Sequence, residues 1–183
     1  MSKVFIGGSR HISRLSAAVR ERLDRIIDKG LPVLLGDANG VDKAVQRYLQ
    51  DRGYRNVEIF CAHGECRNNL GNWPLRSVRP TTTRKDFNYF AEKDRLMARE
   101  ANYGLMVWDG KSLGTLLNVS RLARQHKTVV VYTASNKQFK EIRAEADFAR
   151  FLYHCSDDVR RRALRQLEQE EDGTKLLQQV GLF

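Results

Sequence analysis

Glycine, serine, arginine, aspartate and asparagine recur in three short stretches of this chain, each after an apolar run that reads as a strand and before a helical pattern. The stretches are Gly7-Gly8-Ser9-Arg10, then Gly36-Asp37-Ala38-Asn39-Gly40-Val41-Asp42, then Asp109-Gly110-Lys111-Ser112-Leu113-Gly114-Thr115, with Asn118 one helical turn further on. Such loops hold phosphate and sugar. Glycine lets the backbone approach a ligand, and the free N–H groups of the following helix bind anions. Three of them along one chain predict one nucleotide-sized pocket.

Each loop also has an ordinary structural reading. Gly7 and Gly8 give close approach, Ser9 a hydroxyl, and Arg10 a fork suited to phosphate, or the four form a tight turn with a solvated arginine. Asp37 is placed to accept from ribose hydroxyls between Gly36 and Gly40, and Asn39 either meets the ligand or takes a left-handed turn position. Asp42 falls in the first turn of the next helix, where it favours the helix dipole or meets a ligand. Asp109 either contacts a sugar or caps a helix, and Gly110, Ser112, Gly114, Thr115 and Asn118 surround it. His11 is placed to touch phosphate beside Arg10 or to stand in solvent. No GxGxxG fingerprint and no Walker A lysine motif occurs, so NAD-dehydrogenase and P-loop ATPase chemistry are unsupported. The four histidines lack metal-ligand spacing, and neither a metal nor a cofactor is expected.

The elements that position these loops follow from periodicity. Residues 3–6 read as a strand, 13–28 as a helix with Leu15, Val19, Leu23, Ile26 and Ile27 on one face, and 31–35 as a second strand. A helix over 41–52 and a strand over 57–61 come next. Residues 62–83 carry glycines, two prolines, Trp73 and arginines without a period, and a loop of that length is uncommon unless it serves a function. A helix over 84–101, a strand over 103–108, a helix over 113–125 and a strand over 128–132 complete the alternation. The C-terminal part reads as helices around 137–152, 157–171 and 173–180. Short apolar strands alternating with helices predict an α/β fold: a Rossmann-like parallel sheet of about five strands flanked by helices. Residues 1–135 form that domain, and 136–183 are a helical extension packing on it or on a second subunit, so a homo-oligomer is expected.

The 183 residues suffice for one core plus this appendage. The formal charge of +10 resides entirely in residues 1–135, because 136–183 carry nine charges of each sign. A basic loop-bearing domain suits an anionic ligand at least as well as a polynucleotide. Cys61, Cys66 and Cys155 form no CxxC pair, which indicates neither a disulfide framework nor a zinc site; Cys61 reads as a small buried hydrophobe, and a reducing cytoplasm as the setting. No signal peptide or membrane span is legible, and no membrane partner is expected.

The loops resemble those of the SLOG superfamily, the Rossmann-like group that includes DprA/Smf proteins, LOG phosphoribohydrolases and YpsA-related proteins. The GGSR and GDANGVDKAV stretches are similar to the YpsA-related branch, and residues 94–118 to the latter half of LOG enzymes and nucleoside deoxyribosyltransferases. The resemblance spans residues 3–133. One departure bears on reaction: where LOG enzymes carry PGGxGTxxE, this chain reads DGKSLGTLLN, and Asn118 stands at the catalytic glutamate. An amide orients a ribose but serves as neither general base nor nucleophile. Another carboxylate, Asp37, Glu92, Asp94 or Asp109, would have to act.

The resemblance and the loops together imply a protein that binds a nucleotide or nucleotide-derived ligand as a sensor or binding protein, with Trp73 closing on the base or packing in the core. An alternative is an N-glycosidic hydrolase or transferase acting on nucleoside phosphates through Asp109 and Asp37. A second alternative is DprA-like single-stranded DNA binding, against which Trp73 is the lone aromatic between residues 62 and 85.

Overall fold

The computed structural model describes residues 2–62, 66–79 and 87–170, with the backbone alone for 87–90. The expected helix over 173–180 and parts of the 62–83 loop lie outside these residues. Among them the elements run β1 (Val4–Gly8), α1 (Ala17–Asp28), β2 (Val33–Gly36), α2 (Val41–Asp51), β3 (Val57–Ala62), β4 (Leu75–Val78) and α3 (Phe87–Glu100). Then follow β5 (Tyr103–Trp108), α4 (Leu113–Arg124), β6 (Thr128–Thr133), β7 (Gln138–Ile142), α5 (Glu145–Tyr153) and α6 (Asp157–Gln169).

The strands form one sheet in the order β4-β3-β2-β1-β5-β6-β7, parallel except for β7. The two-residue period of a strand explains the two cores. Val4 and Ile6 of β1, Val33 and Leu35 of β2 and Leu105 and Val107 of β5 face α1 and α2. Their alternates Phe5, Leu34 and Met106 face the other side, where α3, α4, α5 and α6 contribute Met97, Leu116, Phe148 and Leu164. The sheet is therefore buried on both faces, as continuous apolar strands require. This is a Rossmann-like α/β fold. The chain winds outward from β1 to β4, crosses back through α3, and resumes at β5 beside β1. That reversal opens a crevice at the carboxyl ends of β1 and β5.

Two strands exceed the expected five. β4 lies inside the stretch that shows no period, because as an edge strand with alternately exposed and half-buried residues it needs little apolar character. β7 replaces the start of the helix expected over 137–152. Lys137 adopts φ 56°, Asn136 Oδ1 accepts from Gln138 N at 3.2 Å, and Phe139 stacks on Tyr132 with ring centroids 4.9 Å apart, so a tight hairpin covers the outer edge of β6. The apolar faces of α5 and α6 are buried within the chain against the α4 side of the core. Trp73 also belongs to the core: its ring is buried in the α1/α2 cluster, and Nε1 donates to Tyr54 O at 2.9 Å, so it does not close on a ligand. Among the described residues no helix is long and apolar enough to cross a membrane.

Candidate functional site

The loops after β1, β2 and β5 meet at the crevice in a cavity of about 740 Å³. Of the residues singled out from the sequence, Gly7, Gly8, Arg10, Asp42, Asp109, Ser112, Gly114, Thr115 and Asn118 line it. His11 and Asp94, also named from the sequence, line it too, together with Lys93, Lys111 and Arg162. Ser9, Gly36, Asp37, Asn39, Gly40 and Gly110 are not among the lining residues, although several support it from behind.

Ser9 is fully buried; its hydroxyl donates to Asp109 Oδ2 at 2.7 Å and accepts from His11 N at 3.1 Å. The other oxygen of Asp109 accepts from Lys111 N at 2.9 Å and Ser112 N at 2.7 Å. Asp109 thus organises the turn into α4 and faces the cavity together. Burial works to raise its pKa, but the Ser9 hydroxyl and the two backbone donors outweigh that and hold the carboxyl below its ordinary range. It is an anion at neutral pH.

Asp37, expected as a ribose or catalytic carboxylate, is otherwise engaged. Its side chain is 2% exposed, Oδ1 accepts from Arg67 Nη2 at 2.7 Å, and Oδ2 accepts from Arg67 Nε at 3.0 Å and Arg67 N at 3.1 Å. Burial favours protonation, yet these bonds hold Asp37 ionised. Asn68 fastens the same loop, donating from Nδ2 to Asp37 O at 2.8 Å and Asn39 Oδ1 at 3.1 Å. Asn39 does not take the left-handed position; Gly40 does, at φ 80°. A Cβ on Gly40 would also stand 2.4 Å from the backbone of Arg10, where the first two loops cross. Gly40→Ala is expected to cost about 3 kcal/mol or more through strain and overlap; urea unfolding checks it, and an unchanged midpoint would refute it.

Lys93 is the main residue that loop reading misses. It is 4% exposed, and Nζ donates to Asp94 Oδ1 at 2.8 Å. Gly36 makes room for it: a Cβ there would stand 2.4 Å from Asp42 Oδ2 and 2.8 Å from Lys93 Nζ. Asp94 Oδ2 accepts from Asn118 Nδ2 at 3.1 Å, and Asn118 Oδ1 accepts from Arg121 Nη1 at 2.5 Å. Arg121 pairs in turn with Glu170, which Arg95 also contacts at 3.0 Å. A chain of buried and half-buried polar groups therefore runs from α2 through α3 and α4 to the end of α6. The amide of Asn118 is oriented at both ends by this chain. The missed signal lies in α3: Lys93 and Asp94 precede the buried Met97 and Ala98 by four residues, which puts both on the inward face.

Burial pushes Lys93 toward neutrality, but Asp94 and Asp42 outweigh it and the pKa is raised, so the ammonium persists. Asp94 is held below the ordinary range against its burial by Lys93 and Arg121. Asp42 is pushed up to about 6, chiefly by burial and further by Asp94, with Lys93 pulling the other way; its Oδ2 accepts from Ala38 N at 3.2 Å. Charges are sorted by depth: Arg10, His11, Lys111 and Arg162 are exposed at the edge, while Asp42, Asp94 and Asp109 lie within around Lys93. Glu92 pairs with Arg95 at 2.9 Å and does not line the cavity.

One further expectation fails outside the cavity. Cys61 is not a simple apolar side chain: it is bonded to Cys66 in a disulfide. The five-residue separation gave no sign of it, because spacing alone does not say whether the two sulfurs meet.

The fold and the placing of the cavity at the reversal of strand order define a Rossmann-like α/β protein with a crevice at the carboxyl ends of its central strands. Two solved structures share the fold. DNA processing protein A (DprA) of Streptococcus pneumoniae is 19% identical, with a TM-score of 0.52, over 71% of this chain and 50% of that one. DprA of Helicobacter pylori, described for its single-stranded DNA binding mode, is 16% identical, with a TM-score of 0.51, over 71% of this chain and 64% of that one. The likeness is one of fold. No protein-family model and no curated protein matches the chain.

Proposed function

We propose that the cavity binds a nucleotide unit, with its phosphate at the cationic edge and its sugar against the carboxylates within. The observation that carries this reading is the sorting of charge by depth in a cavity at the carboxyl ends of β1 and β5. A dianionic phosphate is repelled by Asp42, Asp94 and Asp109 and attracted to Arg10 and Lys111, where Gly7 and Gly8 allow close approach. Ribose hydroxyls donate to Asp109 and Asp94, and the doubly oriented amide of Asn118 adds one fixed partner. Isothermal titration with nucleosides and their 5′-monophosphates tests this: the monophosphate is expected to bind more tightly. Arg10→Ala is expected to weaken the monophosphate about 10- to 100-fold, the worth of a charge-assisted bond, and to leave the nucleoside unaffected. No binding by any monophosphate would sink the reading.

The likeness in fold to the two DprA structures, one of them described for single-stranded DNA binding, favours a second reading: the unit held is part of a strand. The backbone would then cross Arg10, Lys111 and Arg162 at the edge. Fluorescence anisotropy with labelled oligothymidylate separates the two readings. A strand gives affinity that falls steeply with salt according to the number of phosphates neutralised, and a mononucleotide competitor has little effect. Absence of oligonucleotide binding alongside tight mononucleotide binding would reject it.

A hydrolytic reading rests on the carboxyls of the cavity. Asp109, held ionised, suits attack or charge stabilisation at an anomeric carbon; Asp42, pushed up to about 6, suits proton donation to a departing base. Asp42 thereby replaces Asp37 as the partner of Asp109. Release of free base from nucleoside monophosphates, lost in Asp109→Asn, is the result this reading requires.

A further inference from the structure

Three metal-ligating groups meet behind the second loop, apart from the cavity. β2 and β3 are parallel neighbours with Gly36 opposite Phe60, so Asp37, just past the end of β2, and Cys61, the next residue of β3, stand beside one another. Cys66 returns to the same point and is joined to Cys61. The two sulfurs and a carboxylate oxygen of Asp37 all lie within 4.8 Å of one another, with Asp37 and Cys61 buried and Cys66 half-buried. The residue after Cys66 is Arg67, whose guanidinium occupies Asp37 in the disulfide form.

We propose that this is a redox-gated zinc site: Cys61 and Cys66 form a disulfide under oxidising conditions, and after reduction their two thiolates and Asp37 bind one Zn²⁺. The reductant is a dithiol, which delivers two electrons and two protons to the Cys61–Cys66 bond and itself becomes a disulfide. Zn²⁺ then displaces the two thiol protons to solvent as the two Zn–S bonds form, and Asp37 Oδ supplies the third ligand. Electrostatics favours a dication there. Two thiolates and a carboxylate crowded into one site carry three negative charges against the single charge of Arg67, Lys93 being engaged by Asp94, and a dication restores balance. Thiolate ligands select zinc over calcium or magnesium, and three protein ligands leave the fourth tetrahedral position to water. The metal competes with Arg67 for Asp37. Its binding is thereby coupled to the loop that carries Ala38 and Asp42 into the cavity.

The test uses the full chain, reduced with dithiothreitol and freed of it under argon, then titrated with Co²⁺ as a spectroscopic substitute for zinc. One equivalent is expected to produce the intense near-ultraviolet thiolate-to-cobalt absorption, and one equivalent of Zn²⁺ to abolish it. Air-oxidised protein and Cys66→Ser are expected to give no such band, Cys155→Ser to behave as the unaltered chain, and Asp37→Asn to bind Zn²⁺ about 10- to 100-fold more weakly. In the unaltered reduced chain Zn²⁺ is also expected to protect Cys61 and Cys66 from alkylation, a readout independent of how any variant folds. Absence of the cobalt band, absence of protection, or a full band in folded Cys66→Ser would overturn the proposal.

Discussion

Lys93→Met will destabilise the protein by about 3–5 kcal/mol near neutral pH, the cost of leaving buried charges without their partner. Met preserves most of the aliphatic stem, so the loss is one of charge rather than volume. The ammonium is contacted by Asp94 at 2.8 Å and lies in the field of Asp42 and Asp37; without it the cavity interior holds carboxylates alone. Those carboxyls will then take up protons at a higher pH than in the unaltered protein. The deficit should accordingly be larger at about pH 7.5 than at about pH 5, where protonation relieves the repulsion. With a urea dependence of about 1–3 kcal/mol per molar, the unfolding midpoint should fall by about 2 M at the higher pH. An unchanged midpoint there would show that Lys93 does not balance the buried acids.

Asp42→Asn should act in the opposite direction. The folded pKa of about 6 stands above the ordinary 3.8, so the native state binds more protons than the unfolded chain between those values. The stability associated with the neutral carboxyl is therefore complete below about pH 4 and is lost as pH rises through about 6, by about 3 kcal/mol for a shift of this size. Asparagine keeps an oxygen to accept from Ala38 N but never ionises. The variant should match the unaltered protein near pH 4 and exceed its stability by about 2–3 kcal/mol above pH 7, as read from urea midpoints across that range. It should also lose base release if Asp42 donates the proton. Greater stability with lost function would mark Asp42 as a group kept at a cost to the fold, whereas a flat difference across pH would refute the raised pKa. Combined with Lys93→Met, it should recover part of that variant's deficit, since one of the stranded anions is gone.

The alternation of strand and helix was legible because its signals are local. Apolar runs such as Val33 to Leu35 and three- and four-residue stripes such as Val19, Leu23 and Ile26 report burial without reference to any partner. The extra strands were not, because β4 and β7 are edge strands whose identity comes from the backbone groups of β3 and β6 that they pair with.

From the amino-acid order alone, this chain has three glycine-bearing polar loops at strand ends, and a Rossmann-like sheet carries such loops to one side. Only the tertiary structure decided what each carboxylate in them does. Asp37, Asp42 and Asp109 are alike in sequence as acidic residues of strand-to-helix junctions, two in the loops and one in the first helical turn. Asp37 is captured by Arg67, thirty residues away; Asp42 is buried against Lys93, fifty-one residues away; and Asp109 is tied to Ser9, one hundred residues back, while remaining open to the cavity. The same holds for Cys61 and Cys66 beside Asp37, and for Asn118 between Asp94 and Arg121. A side chain's charge state and availability depend on the partners that sheet order and helix crossing bring within a few ångströms, and those partners are distant along the chain.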